Sequence, residues 1–125
     1  MAKAKSSPKP KSPFQGRWHI VSMSQWDEDY LNEEVQAYIE FEATQRGEFR
    51  FGYVQGEIDY REGQRDGKPH VEWTWEGNDE MEPAMGRGWA VLDGEELNGT
   101  IFFHQGDESE FVAERAEGAN RAKRR

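Results

Sequence analysis

Apolar and polar residues alternate with a period of two along most of this chain, and few folds accommodate that pattern. Ile39, Phe41 and Ala43 alternate with Tyr38, Glu40 and Glu42. Phe49, Phe51 and Tyr53 alternate with Glu48, Arg50 and Gly52, and Ile58 and Tyr60 with Asp59 and Arg61. Val71, Trp73 and Trp75 alternate with Glu72, Thr74 and Glu76. Successive side chains of a strand point to opposite faces, so each run has one buried and one wet face, as in an antiparallel sheet. A first strand is expected over 17–23. Ser24 can then cap a short helix through Asn32, with Asp27, Glu28 and Asp29 near the positive end of its dipole and Trp26, Tyr30 and Leu31 on its buried face.

Turn chemistry sets an expected register. A loop at Gln45-Arg46-Gly47 places Glu42 opposite Arg50, and a two-residue turn at Gln55-Gly56 pairs Phe51 with Tyr60 and Tyr53 with Ile58. Arg65 to Pro69 reads as a longer turn. Asp93-Gly94-Glu95 pairs Val91 with Leu97 and sets Trp89 over Gly99, an aromatic ring covering a glycine. The loop over 105–109 pairs Phe103 with Phe111 and Gly99 with Arg115. These runs make eight strands in a meander, and closing the sheet removes two exposed edges. Strand eight then meets strand one, bringing the Arg115 guanidinium over the Trp18 indole.

Gly16-x-Trp18 on the first strand, the up-and-down meander and Phe111-x-Ala113-x-Arg115 on the last resemble the calycin superfamily of lipocalins and fatty-acid-binding proteins. The chain also resembles a recurring type of uncharacterised bacterial protein with Trp26-Asp27-x-Asp29-Tyr30, Trp75-Glu76-Gly77-Asn78-Asp79-Glu80, Gly86-Arg87-Gly88-Trp89 and Gly106-Asp107-x-Ser109. The calycin resemblance implies an all-β, eight-stranded antiparallel up-and-down barrel with one short helix after the first strand. It also implies a non-enzymatic module binding a small hydrophobic or amphipathic ligand at the barrel mouth near Trp75 and Trp89. The alternative is a structural or interaction protein with a filled core, acting through its acidic surface and loops.

Composition places this barrel over 14–115, between basic tails at 1–13 and 116–125 whose few apolar groups cannot offset the entropy of ordering. Lys3, Lys5, Lys9 and Lys11 lie in the first tail and Arg121, Lys123, Arg124 and Arg125 in the second, so the body is more acidic than the net −9 of the whole chain. An acidic body repels phosphate backbones, which argues against specific nucleic-acid binding. The absence of cysteine excludes disulfides and thiol chemistry. No secretory leader or membrane-length apolar run is evident, and a cytoplasmic location is expected.

The expected inward set is Trp18, Phe41, Phe49, Phe51, Tyr53, Tyr60, Trp73, Trp75, Trp89 and Phe111. So many rings favour a filled interior at a strand number that leaves room for one small ligand at most. The stretch over 77–88 reads as the longest loop after Ala37, held by an Asp79–Arg87 ion pair. Loops alternate between the ends of a meander, so the 24–36 segment, the 55–56 turn and the 77–88 and 105–109 loops share one end. That end gathers Asp27, Asp29, Asp79, Glu80, Arg87, His104 and Asp107, with Arg87 and His104 expected to flank an opening and bind a polar or anionic group. The candidate ligand-binding residues are therefore Trp75, Asp79, Arg87, Trp89 and His104, with Trp18, Gly99 and Arg115 structural. No spacing of the three histidines suits a metal, no cofactor is indicated, and Ser109, His104 and Asp107 lack the nucleophile elbow of a hydrolase.

Overall fold

The computed structural model describes residues 12–116; the tail assignments at 1–11 and 117–125 lie outside the described residues. In chain order the elements are β1 (Gly16–Met23), α1 (Glu28–Leu31), β2 (Tyr38–Phe41), β3 (Arg46–Phe51) and β4 (Val54–Arg65). They continue as β5 (Lys68–Asp79), β6 (Glu82–Asp93), β7 (Glu96–Phe103) and β8 (Glu108–Arg115). Each strand pairs with the next and β8 pairs antiparallel with β1, giving a closed eight-stranded barrel. The seam is where the sequence places it. Trp18 lies opposite Arg115, whose guanidinium carbon sits 4.1 Å from the indole centroid and which donates to the carbonyls of Pro13 and Gln15. The Trp18 indole donates to the Phe14 carbonyl at 2.9 Å, and Phe14 is fully buried beneath this end.

Side-chain rings bridge the interior from wall to wall. Phe41 on β2 meets Trp73 on β5 at 5.7 Å between centroids, and Trp73 meets Phe111 on β8 at 6.3 Å. Phe51 on β3 meets Phe103 on β7 at 6.5 Å, and Trp75 packs edge-on to both Phe49 and Phe103. At the opposite end from Arg115, Trp26 lies 5.1 Å from Phe51 and 6.0 Å from Phe103 and stacks on Tyr30. The helical connection therefore stoppers that mouth. Its N-cap is Asp27, which accepts from the Tyr30 amide. Ser24, expected as the cap, instead accepts from the Glu110 amide and so ties β1 to β8.

Three expected turns differ from those observed by shifts that keep the strand faces. The β3–β4 reversal falls at Gly52-Tyr53, so Phe51 pairs with Val54 and Phe49 with Gly56, and Tyr53 is exposed. Gly52 has φ +56, and its amide donates to the Leu31 carbonyl while the Tyr30 ring covers it. The β2–β3 turn takes its left-handed residue from Gln45 (φ +66), which sets Arg50 opposite Tyr38 rather than Glu42. In β7–β8 the register moves so that Gly99 faces Phe111 and Leu97 faces Ala113, which leaves Arg115 away from Gly99. Each of these shifts is an even number of residues, so the faces are kept apart from Tyr53, which enters the turn.

The β6–β7 hairpin differs by an odd step. Asp93 pairs with Glu96 across a Gly94-Glu95 turn, so Ala90 rather than Trp89 lies opposite Gly99. A one-residue slip turns every side chain of a strand over. Trp89 consequently faces outward, and β6 presents Gly86, Gly88 and Ala90 to the interior. The stretch over 77–88 is likewise not a loop. β5 and β6 pair through to Asp79 and Glu82, joined by Glu80-Met81 with φ +51 and +75.

A candidate binding groove on the outer face

The outward face of β6 carries the candidate surface, since its inward face is made of small residues. Trp73 and Trp75 on β5 lie directly opposite Gly88 and Gly86 on β6. The two indoles lie against these glycines, where a Cβ would fall within 3.0 Å of either ring. Thr74 and Arg87, the intervening residues, face outward opposite each other. The cross-strand row through them runs Arg46, Asp59, Thr74, Arg87, Phe102 from β3 to β7.

An open groove of about 800 Å³ follows this row, with Glu57, Glu76, Met85, Phe102 and His104 among its walls and Trp75 in its floor. A second stretch of about 580 Å³ shares Asp59, Thr74, Arg87 and Phe102 with the first and continues toward Arg61, Arg65, Glu72 and Trp89. Among the candidate residues, Trp75, Arg87, Trp89 and His104 therefore line one continuous outer groove. Asp79 does not: it lies at the tip of β5 opposite Glu82, and no ion pair joins it to Arg87 among the described residues. The residues that sequence reading missed are Phe102, Thr74, Arg65 and Met85. Their period-two spacing on the polar face was visible, but a register error on β6 hid their convergence.

Guanidinium groups in the groove lie on aromatic faces. Arg87 stands 4.5 Å from the Phe102 centroid and Arg65 stands 5.1 Å from that of Trp89. His70 stacks on Trp89 at 6.2 Å and is 8% exposed, with Nε2 buried and unpartnered. Burial first, and then the Arg65 charge, hold its pKa below the ordinary 6.5, while Glu72 opposes them. An unfolded histidine takes up its proton around 6.5, and the folded one does so only at a lower pH. Stability is therefore retained above that pH and falls as the pH drops below it, by at most ~1.4 kcal/mol per unit from this one group. Urea denaturation at pH 7.5 and 5.5 checks this: wild type should lose more than His70→Gln. Equal losses would mean that His70 is free to protonate in the fold.

The Ser109 hydroxyl is 1% exposed at the β1–β8 seam, where it accepts from the Gln25 amide and donates to the Glu110 carbonyl. It is bound up in closing the barrel and is out of reach as a nucleophile. Among the described residues no group of three or more histidine or carboxylate side chains is arranged to hold a metal, and no helix is long and apolar enough to cross a membrane. Comparison with protein-family models, with curated proteins and with solved structures found no match.

Proposed function

We propose that this protein is a non-enzymatic binding module that holds a small amphipathic ligand in the outer groove across β4 to β7. The barrel's closed meander is compatible with calycin-like binding proteins, but the interior site of a lipocalin is replaced by a lateral one. The observation that carries this reading is the groove itself. Its larger stretch of about 800 Å³ lies within the ~300–1,000 Å³ of small-molecule sites, while aromatic rings bridge the lumen. Phe102, Trp89 and half-exposed Met85 supply apolar contact, and arginines and carboxylates around them supply polar ends.

A titration with N-phenylnaphthylamine, a neutral fluorescent amphiphile, tests it. Phe102→Glu and Met85→Glu place charge on the apolar wall from the solvent side and should each weaken binding about tenfold, the cost of roughly 1.4 kcal/mol. Unchanged affinity in both variants would remove the groove as the binding site.

The alternative, an interaction protein acting through its acidic surface, has one observation of its own. Glu40, Glu48, Glu57 and Glu76 stand side by side in a single outward row across β2 to β5. Like charges directly opposite are destabilising. Glu40 pairs with Arg17 and Glu48 accepts from the Tyr38 hydroxyl, whereas Glu57 and Glu76 have no such partner among the described residues. On that reading, Glu57→Gln with Glu76→Gln raises stability and abolishes capture of a cationic partner, while N-phenylnaphthylamine fails to bind.

A further inference from the structure

Eight basic side chains belong to the described residues, and their partners divide them sharply. Arg17, Arg50, Arg61 and Lys68 each form an ion pair, and Arg115 is held by backbone carbonyls. Arg46, Arg65 and Arg87 form no ion pair among the described residues, although the body carries a large excess of carboxylates. All three line the groove. A guanidinium that stays unpaired on an acidic surface keeps its hydrogen-bond donors available, and one held over a ring by cation–π attraction does not spend them on the ring edge.

From this division we infer that the ligand of the groove carries an oxyanion, and that Arg87 and Arg65 hold it at the Trp89 end. The inference rests on the binding-module reading and adds the ligand's charge and direction to it. Arg87 and Trp89 are two residues apart on the outward face of β6, and Arg65 lies over Trp89, so the two guanidinium groups bracket one stretch of groove. The Thr74 hydroxyl, opposite Arg87, adds a neutral donor. Two carboxylates line the same stretch. Asp59 is engaged by Arg61 at 2.6 Å, and Glu72 is the one left to oppose an anion, against two free guanidiniums. The other end of the groove sets Glu57 and Glu76 against the single guanidinium of Arg46, a carboxylate excess that orients the ligand with its apolar part over Phe102 and Met85. His104 lies at that far end and is not part of the anion site, in contrast to the pairing with Arg87 expected from sequence. The forked guanidinium suits a carboxylate, sulfonate or phosphate group bound edge-on.

Two probes that share their aromatic body but differ in charge separate this inference from the reading beneath it: anilinonaphthalene sulfonate and neutral N-phenylnaphthylamine. With the full chain at low salt, the sulfonate should bind about tenfold more tightly than the neutral probe, the ratio expected from roughly one charge-assisted hydrogen bond. Arg87→Gln and Arg65→Gln should each bring the ratio of the two affinities, measured in the same variant, down to about one, whereas Arg17→Gln, outside the groove, leaves the tenfold ratio in place. Arg87→Lys, which keeps the charge and loses the fork, should fall between and guards against a loss that reflects misfolding alone. Equal affinity for the two probes, or a sulfonate preference that survives both glutamine variants, overturns the anion site while the groove reading stands. Failure of both probes to bind overturns both.

Discussion

Trp73→Ala should lower the free energy of unfolding by about 3–5 kcal/mol, the range for removing a large ring from a packed core. The indole is 3% exposed and joins opposite walls of the barrel, touching Phe41 on one side and Phe111 on the other. The residue facing it on β6 is Gly88, which has no side chain to move into the space. Domains of this size have about 5–15 kcal/mol in total, so the variant should sit near the edge of folding at room temperature. Trp73→Phe should recover most of the loss, since the indole Nε1 is buried without a partner and its removal forfeits no hydrogen bond. Urea midpoints for the three proteins decide the matter. A loss below ~1 kcal/mol for the alanine variant would mean that the ring does not span the barrel.

Gly86→Ala is the second large effect, and it acts by excess rather than deficit. A Cβ there would point inward and fall well under 3.0 Å from the Phe102 carbonyl oxygen, with the Trp75 indole nitrogen also within that distance. The first obstacle is backbone on the paired strand, and the second is a ring fixed by its hydrogen bond to the same carbonyl at 3.1 Å. Neither can step aside cheaply. Overpacking of this kind costs about 1–3 kcal/mol, with backbone clashes at the upper end. Gly63→Ala is the control. It lies in the same long-stranded region, has nothing within 4 Å of the new methyl and no left-handed backbone, and should be neutral or stabilising by up to ~1 kcal/mol. If the two alanine variants melt together, the Trp-x-Trp against Gly-x-Gly packing described for β5 and β6 is wrong.

That packing also explains which parts of the structure were legible from the chain. Period-two alternation reports which face of a strand is buried whatever its partner, and it placed Phe41, Phe49, Phe51, Tyr60, Trp73, Trp75 and Phe111 correctly inside. The seam was legible because Trp18 and Arg115 have matching chemistry at the two ends of the domain. β6 was misread because its inward residues are small. Trp73 and Trp75 already occupy the interior, so the facing strand must offer Gly86 and Gly88, and a search for large inward residues fixes on Trp89 and turns the strand over. The same glycines made 77–88 resemble a loop, although Glu80-Met81 turns the chain with left-handed backbone at two residues that rarely adopt it. The turn at Gly52 was missed because its cause, the Tyr30 ring and Leu31 carbonyl of the distant helix, is tertiary. The candidate site suffered accordingly. The sequence groups Trp75, Arg87, Trp89 and His104 around a barrel mouth, which Trp26 closes; in the structure they line a groove on the outer wall.

The position of a bound amphiphile relative to that wall is the central issue, and intermolecular nuclear Overhauser effects from N-phenylnaphthylamine measure it directly. The account predicts contacts to the methyl groups of Met85 and Thr74 and to the Phe102 ring, with the interior methyls of Ile39 and Ile101 silent. Contacts to Ile39 or Ile101 would place the ligand inside the barrel and contradict it.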